Sequence, residues 1–289
     1  MKLLRYGPKG AEKPAMLDSN GTMRDLSGQI PDLGPEQLSE GALRQLAALD
    51  PAALPQVPEG SRIGACVAGT RTFLAIGLNY HDHAKEAGQP APAEPILFMK
   101  GTGCIAGPDD DLPVPPGSTK LDWEVELGIV IGSTCRHVTP MQALDHVAGY
   151  CTVNDVSERA WQIERSGQWV KGKAYDGFGP VGPWLVTRDE IPDPQALDLF
   201  LDLNGERKQT GNSATMIFGV AEIVSYVSQF MTLQPADIIT TGTPPGVGLG
   251  MKPPRFLVVG DELRLGGDDI GRLQGHELAD IADDLRHAE

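Results

Sequence analysis

Leu121-Asp-Trp-Glu-Val-Glu-Leu-Gly-Ile-Val-Ile-Gly132 is the stretch on which the reading of this chain turns. Apolar and acidic residues alternate through its first half and aliphatic residues dominate its second, which is the pattern of a buried strand. As a strand it sends Trp123, Val125, Leu127, Ile129 and Ile131 to one side and Asp122, Glu124 and Glu126 to the other. Three acids on one face repel one another unless water or a cation neutralises them. This segment alone leaves two readings open: a solvated strand face, or a hard cation held between Glu124 and Glu126.

The next apolar run, Gly149-Tyr-Cys-Thr-Val-Asn154, reads as a second strand and delivers Asp155 at its end. Ser157 is the expected N-cap of a helix running to about residue 165. Arg159 and Gln162 follow Asp155 by four and seven residues, so an early helix start turns all three the same way. The plainer alternative is a capped helix with an ordinary ion pair. Three carboxylates plus water form an all-oxygen set that suits Mg²⁺ or Mn²⁺ rather than zinc.

Upstream, Gly77-Leu-Asn-Tyr-His-Asp-His-Ala-Lys-Glu-Ala-Gly88 places His83 and Glu86 three residues apart. On a helical turn the two meet, and a carboxylate that orients the imidazole makes it a general base toward water. His81 and His83 also read as two zinc ligands, but no cysteine or further histidine nearby completes such a site. A surface helix with titrating histidines is the remaining alternative. Downstream, Lys171-Gly-Lys173 precedes a Gly/Pro-rich run over 175–183 and reads either as a ligand-facing loop or as a solvated lysine pair. Thr240-Thr-Gly-Thr-Pro-Pro-Gly-Val-Gly-Leu-Gly250 offers hydroxyls and backbone N–H groups for a carboxylate, or is an ordinary long turn; it lacks the P-loop pattern.

Around these segments the chain is punctuated by 35 Gly and 24 Pro, and from Gly69 onward short apolar strands alternate with turns. This favours a β-rich α+β core over a doubly wound sheet. A second helix is expected from about 214 to 230, with Ile217, Val220, Ala221, Val224 and Val227 on its apolar face. The first sixty residues read as a small α/β unit: strands near 2–6, 14–18 and 22–26, then a helix carrying Leu38, Ala42, Leu46 and Leu49 and ended by Pro51. A proline-rich linker over 51–58 puts a boundary near Gly64, dividing the chain into a domain of residues 1–64 and a catalytic domain of residues 65–289.

The 289 residues carry 24 basic and 39 acidic side chains, a formal charge of −15, which argues against nucleic acid and anionic membranes as partners. No apolar run approaches the roughly 20 residues of a membrane helix. No apolar segment follows Lys2 and Arg5 to make a signal peptide, so a cytoplasmic protein is expected. Cys66, Cys104, Cys135 and Cys151 are scattered and are expected to be reduced core residues. The same negative field opposes an anionic substrate, which a local cation would have to overcome.

Taken in order, Gly-Leu-Asn-Tyr-His-Asp-His (77–83), Phe-Met-Lys-Gly (98–101), Asp-Trp-Glu-Val-Glu-Leu-Gly-Ile-Val-Ile-Gly (122–132), Asn-Asp-Val-Ser-Glu-Arg (154–159), Lys-Gly-Lys (171–173) and Thr-Gly-Thr-Pro-Pro-Gly-Val-Gly (241–248) resemble the fumarylacetoacetate hydrolase family. The resemblance runs from about Leu74 to Ile281. It implies a mixed β-sandwich roll with a small N-terminal domain, assembled as a homodimer or larger. It implies Glu124, Glu126 and Asp155 as ligands of Mg²⁺ or Mn²⁺, His83 and Glu86 as a catalytic pair on a mobile lid, and Lys173 as a support for the enolate. Arg159, Gln162, Thr243 and Tyr80 would be its substrate contacts. The implied reaction is hydrolysis of the C3–C4 bond of a small-molecule 2,4-diketo acid, giving pyruvate and a carboxylic acid. The branch acting on 2,4-diketo-3-deoxy-L-rhamnonate is the nearest in pattern; acylpyruvases and lyases for oxaloacetate or ureidoglycolate share the motifs. Glu158, where relatives carry a small residue, and Tyr175-Asp176-Gly177, where Ser-Phe-Asp is usual, depart from the pattern.

Overall fold

The acid-bearing strand lies in the interior of a large mixed sheet. The computed structural model describes residues 1–280, and within them the sheet runs in the order Met23–Asp25, Lys13–Leu17, Lys2–Tyr6, Gly179–Thr187, Val147–Asn154, Val125–Ile131, Ile238–Thr240, Phe73–Gly77, Ile96–Lys100. Neighbours are antiparallel except Ile238–Thr240 with Phe73–Gly77, which run parallel. Lys2–Tyr6 pairs with Gly179–Thr187, so the N-terminal strands continue this same sheet. A second, five-stranded sheet of Glu206–Asn212, Asp198–Leu203, Glu262–Gly267, Gly271–Asp280 and Leu112–Val114 packs on the strands Val125–Ile131, Val147–Asn154 and Gly179–Thr187. The fold is strand-rich α+β, as the Gly/Pro punctuation predicts.

The two sheets bury their strands differently. Asp198–Leu203 alternates, with Leu199, Leu201 and Leu203 inward and its other residues toward solvent, as one-sided sheets do. Val125–Ile131 is buried along its whole length, because both of its faces are covered. A solvated acidic face is therefore ruled out: Asp122, Glu124 and Glu126 are all buried.

Three expected elements begin or break elsewhere. The stretch 121–132 is interrupted into Leu121–Asp122 and Val125–Ile131. Side chains take the backbone donors at the break: Asp122 Oδ1 accepts from the Trp123 N–H, Asn154 Oδ1 from that of Glu124, and Gln209 Oε1 from that of Val125. The helix after Asp155 starts at Arg159 rather than at Ser157, and its N-cap is Glu158, whose carboxylate accepts from the Trp161 N–H. Ser157 and Glu158 instead pair as a short strand with Leu121–Asp122. The helix expected from 214 is a single turn at Ser213–Thr215 followed, after an extended link, by Val220–Phe230. Asn79 holds that link, its carbonyl accepting from the Ile217 N–H and its side-chain oxygen from the Phe218 N–H. No described helix is long and apolar enough to cross a membrane, and all four cysteines are buried and free.

Candidate active site

Strand pairing assembles the carboxylates. Val125 lies opposite Asn154, and the Asp155 N–H donates to the Glu124 carbonyl at 2.9 Å, so Asp155 comes beside Glu124 and Glu126. One oxygen from each of the three lies within 4.8 Å of the others. Arg159 Nη2 reaches Glu124 at 2.7 Å, and Lys173 Nζ bridges Glu124 and Asp155 at 2.6 Å each. Asp122 is turned away from this group. It takes Arg159 Nε at 2.7 Å and the N–H groups of Gly248 and Leu249 at 2.7 and 3.1 Å, so it fastens the arginine to the glycine-rich loop.

Glu126 differs from its neighbours in meeting no cation among the described residues. Its carboxylate accepts from the Thr240 hydroxyl and from the Gly242 N–H at 2.7 Å. Burial, with Asp155 and Glu124 beside it, pushes its carboxyl well above the usual range. Burial also opposes the charge on Glu124, but Arg159 and Lys173 outweigh it and hold that carboxyl below the usual range. For Lys173 the desolvation cost is overcome by Asp155 and Glu124, which raise its affinity for the proton. A buried carboxylate with no ion-pair contact of its own, within reach of two further carboxylates, is what an oxygen-preferring divalent cation fits. Glu124, Glu126 and Asp155 can bind one.

Lys100 has no role in the sequence reading beyond its place in a motif, yet it belongs to the site. Fully buried, its ammonium donates to Asp155 Oδ1 at 2.5 Å and to the Lys173 carbonyl at 2.6 Å. The only hint in the sequence is a lysine closing an otherwise apolar strand, Ile96-Leu-Phe-Met-Lys100. Gly172 is required by close approach, since a Cβ there would meet the Glu158 carbonyl at 2.4 Å. Glu158, the departure from the family pattern, is structural: besides capping the helix it accepts from the N–H groups of Thr119 and Lys120.

The carboxylates open onto a cavity of about 90 Å³. His83 lines the same cavity, on the helix His81–Glu86, with Nδ1 3.0 Å from Glu86. With Nδ1–H donating to Glu86, the lone pair of the neutral ring sits on Nε2. Glu86 also accepts from the Gly246 N–H at 3.0 Å, which ties this helix to the glycine-rich loop. Gln162 lines the cavity and accepts from Arg159 Nη1 at 3.0 Å. Thr243 lines it too, but its hydroxyl donates to the Val125 carbonyl and accepts from Gln209. Tyr80 is buried, its hydroxyl has no hydrogen-bond partner among the described residues, and it is not one of the residues that line the cavity. His81 is exposed and joins no ligand cluster among the described residues.

A carboxylate cluster suited to a divalent ion, sharing a small cavity with a histidine held by a glutamate, defines a metal-ready enzyme site. Residues 72–276 match the model of the fumarylacetoacetate (FAA) hydrolase C-terminal family, and the chain belongs to that family. A Burkholderia ambifaria protein that bears only the general name hydrolase is 62% identical over 272 residues, covering 94% of this chain and 96% of its own. Among solved structures, fumarylacetoacetate hydrolase from Exiguobacterium antarcticum superposes with a TM-score of 0.85 at 36% identity, over 96% of this chain and 99% of that one. Maleylpyruvate hydrolase from Sphingobium sp. SYK-6, solved with manganese(II) and pyruvate, gives a TM-score of 0.79 at 29% identity, over 97% and 99%.

Proposed function

We infer that the protein is a divalent-metal-dependent hydrolase that cleaves the C3–C4 bond of a 2,4-diketo acid, releasing pyruvate and a carboxylic acid. The observation that carries this reading is that His83, held by Glu86, lines the same small cavity as Glu124, Glu126 and Asp155. A bound Mg²⁺ or Mn²⁺ would supply Lewis-acid polarisation of the 2-keto group and offset the negative field of the chain.

The remaining steps fall to side chains. Glu86 holds the imidazole, and His83 Nε2 takes a proton from water as the hydroxide adds to the C4 carbonyl. When the tetrahedral alkoxide collapses, the C3–C4 bond breaks and its electron pair is delocalised toward the 2-keto oxygen. The proton held on His83 returns to C3, which completes pyruvate. The Lys173 ammonium stabilises the developing negative charge. Arg159 acts through Gln162 and Glu124, and the Thr243 and Gly242 segment forms the wall for the substrate carboxylate. The proposed substrate is 2,4-diketo-3-deoxy-L-rhamnonate, cleaved to pyruvate and L-lactate by a homodimer.

A lyase reading, decarboxylation or ureidoglycolate cleavage, has no need of an activated water and leaves His83 and Glu86 without work. The deciding experiment is pyruvate release from a panel of 2,4-diketo acids, with Mg²⁺ or Mn²⁺ and with EDTA. Metal-dependent release supports the hydrolase; no pyruvate from any member, or full turnover in EDTA, sinks it.

A further inference from the structure

The cavity is lined by two chemically unlike sets of residues. One is the carboxylate and lysine cluster. The other is apolar: Ile76, Gly77, Leu78, Phe98 and Trp169. Phe98 and Trp169 meet edge to face with centroids 5.2 Å apart, and the Lys173 ammonium lies 5.1 Å from the Phe98 ring. The carbon edge of the Trp169 indole is pressed on Gly77, where a Cβ would come 2.6 Å from Cζ3 and 3.1 Å from Cη2. Any side chain at 77 displaces Trp169, so the glycine and the indole set the wall together. Next to it, Leu78 takes a left-handed φ of 52°, a strained conformation for a leucine, at the point where the chain turns toward His83.

The cations that line the cavity are both committed. Arg159 is shared between Asp122 and Glu124, and Lys173 between Glu124 and Asp155. Neither is left to neutralise a second carboxylate on a substrate. The volume of about 90 Å³ is well below the roughly 300–1,000 Å³ of pockets for larger ligands. We propose that the Phe98–Trp169 wall is the tail subsite, and that it selects 2-oxo acids with short uncharged tails against those ending in a second carboxylate, with Trp169 setting the length accepted. This rests on the 2,4-diketo acid reading above. A distal carboxylate pressed against aromatic carbon loses its water without gaining a partner, which is the costly form of burial. Maleylpyruvate, the substrate in the name of one structural relative, carries such a carboxylate; here it is expected to be a poor substrate.

Binding and turnover separate this proposal from the one it rests on. Titration calorimetry on Mg²⁺-loaded protein compares 2-oxopentanoate with 2-oxoglutarate, and 2-oxohexanoate with 2-oxoadipate. Each monoacid should bind about tenfold or more tightly than its diacid; equal or tighter diacid binding overturns the tail assignment. Trp169→Ala should strengthen 2-oxohexanoate relative to pyruvate, and the milder Trp169→Phe and Phe98→Leu carry the comparison if the alanine variant does not fold. An unchanged chain-length profile in all folded variants removes Trp169 from its role. In turnover, acetylpyruvate should exceed fumarylpyruvate in kcat/KM. A preference for fumarylpyruvate refutes the tail proposal and leaves C–C hydrolysis standing. Selective monoacid binding without pyruvate release from any diketo acid refutes the hydrolase and leaves the wall.

Discussion

Two ion networks in this chain each have one acid more than they have ion-paired cations, and they stand in different relations to water. At the rim, Arg5 and Arg62 join Glu12, Asp32 and Asp110, three acids to two cations, with side chains 9% to 33% exposed. In the site, Lys100, Arg159 and Lys173 face Asp122, Glu124, Glu126 and Asp155, four acids to three cations, and every ion-paired side chain is at most 7% exposed. Each network has one acid in excess. At the rim every acid touches a guanidinium and water screens the remainder. In the site the excess falls on Glu126, which touches only neutral donors. The difference shows that an ion network becomes a binding site through where its uncompensated charge lies, and the surplus alone does not decide it.

The comparison breaks most directly at Glu126. Glu126→Gln removes the uncompensated acid, so turnover should fall by roughly a thousandfold or more, beyond the 10–100-fold typical of residues standing behind a metal ligand. The metal-free variant should melt no lower than wild type, while the rise in Tm on adding Mg²⁺ should vanish. A normal metal-dependent rise would show that Glu126 is not a ligand. His83→Ala should cost about 10²–10⁴ in kcat with calorimetric metal affinity unchanged; retained hydrolysis would favour the lyase reading. Lys100→Met leaves Asp155 to share Lys173 with Glu124 and takes the donor from the Lys173 carbonyl, and should lose about 1–3 kcal/mol of stability in EDTA, with part of it restored by Mg²⁺. If added metal restores nothing, Lys100 is a packing residue only.

Smaller effects sharpen the contrast. Asp122→Asn loosens Arg159 and the glycine-rich loop, and should lower kcat by about 10–100-fold, well short of Glu126→Gln. Arg62→Gln at the rim should cost only about 0.2–1 kcal/mol and leave activity and metal affinity alone. Burial raises the Asp110 carboxyl, but its bonds to Arg62 and to the Gly107 N–H outweigh that and lower it. A depressed folded value means that its contribution is present at neutral pH and disappears as the pH falls below the ordinary carboxylate range toward the lowered value. Denaturant melts from pH 7 to pH 3 should therefore show a shallower loss in Arg62→Gln than in wild type. A larger loss would give the rim pair a role it is not assigned here.

Much of the site was legible in the chain because strands and helical turns have fixed periods. Glu126 lies on the strand with Glu124 two residues before it, at the residue that leads into the strand, and His83 and Glu86 fall three apart on one turn, so each pair is brought together by local geometry. The helix starts were misplaced because tertiary partners overrode local capping. Glu158 displaced Ser157 as N-cap while also holding Thr119 and Lys120, and Asn79 kept the link before Val220 extended by a bond to Phe218 from 139 residues away. Lys100 was unassigned because a lysine in a strand says nothing of what it meets until Asp155 and Lys173 are folded onto it.

The sequence by itself determined the chemistry available: oxygen ligands rather than thiolates, a histidine with a carboxylate three residues on, and a strand-rich framework. Their identities and local spacings are written in the chain, and those are what short-range geometry reads. Only the tertiary structure decided that the acidic face is sealed from water, that Glu126 is the acid left without an ion-pair contact, and that Trp169 and Phe98 meet in the wall of the cavity. Burial and charge balance depend on every segment packed around a group, and no window of sequence contains them.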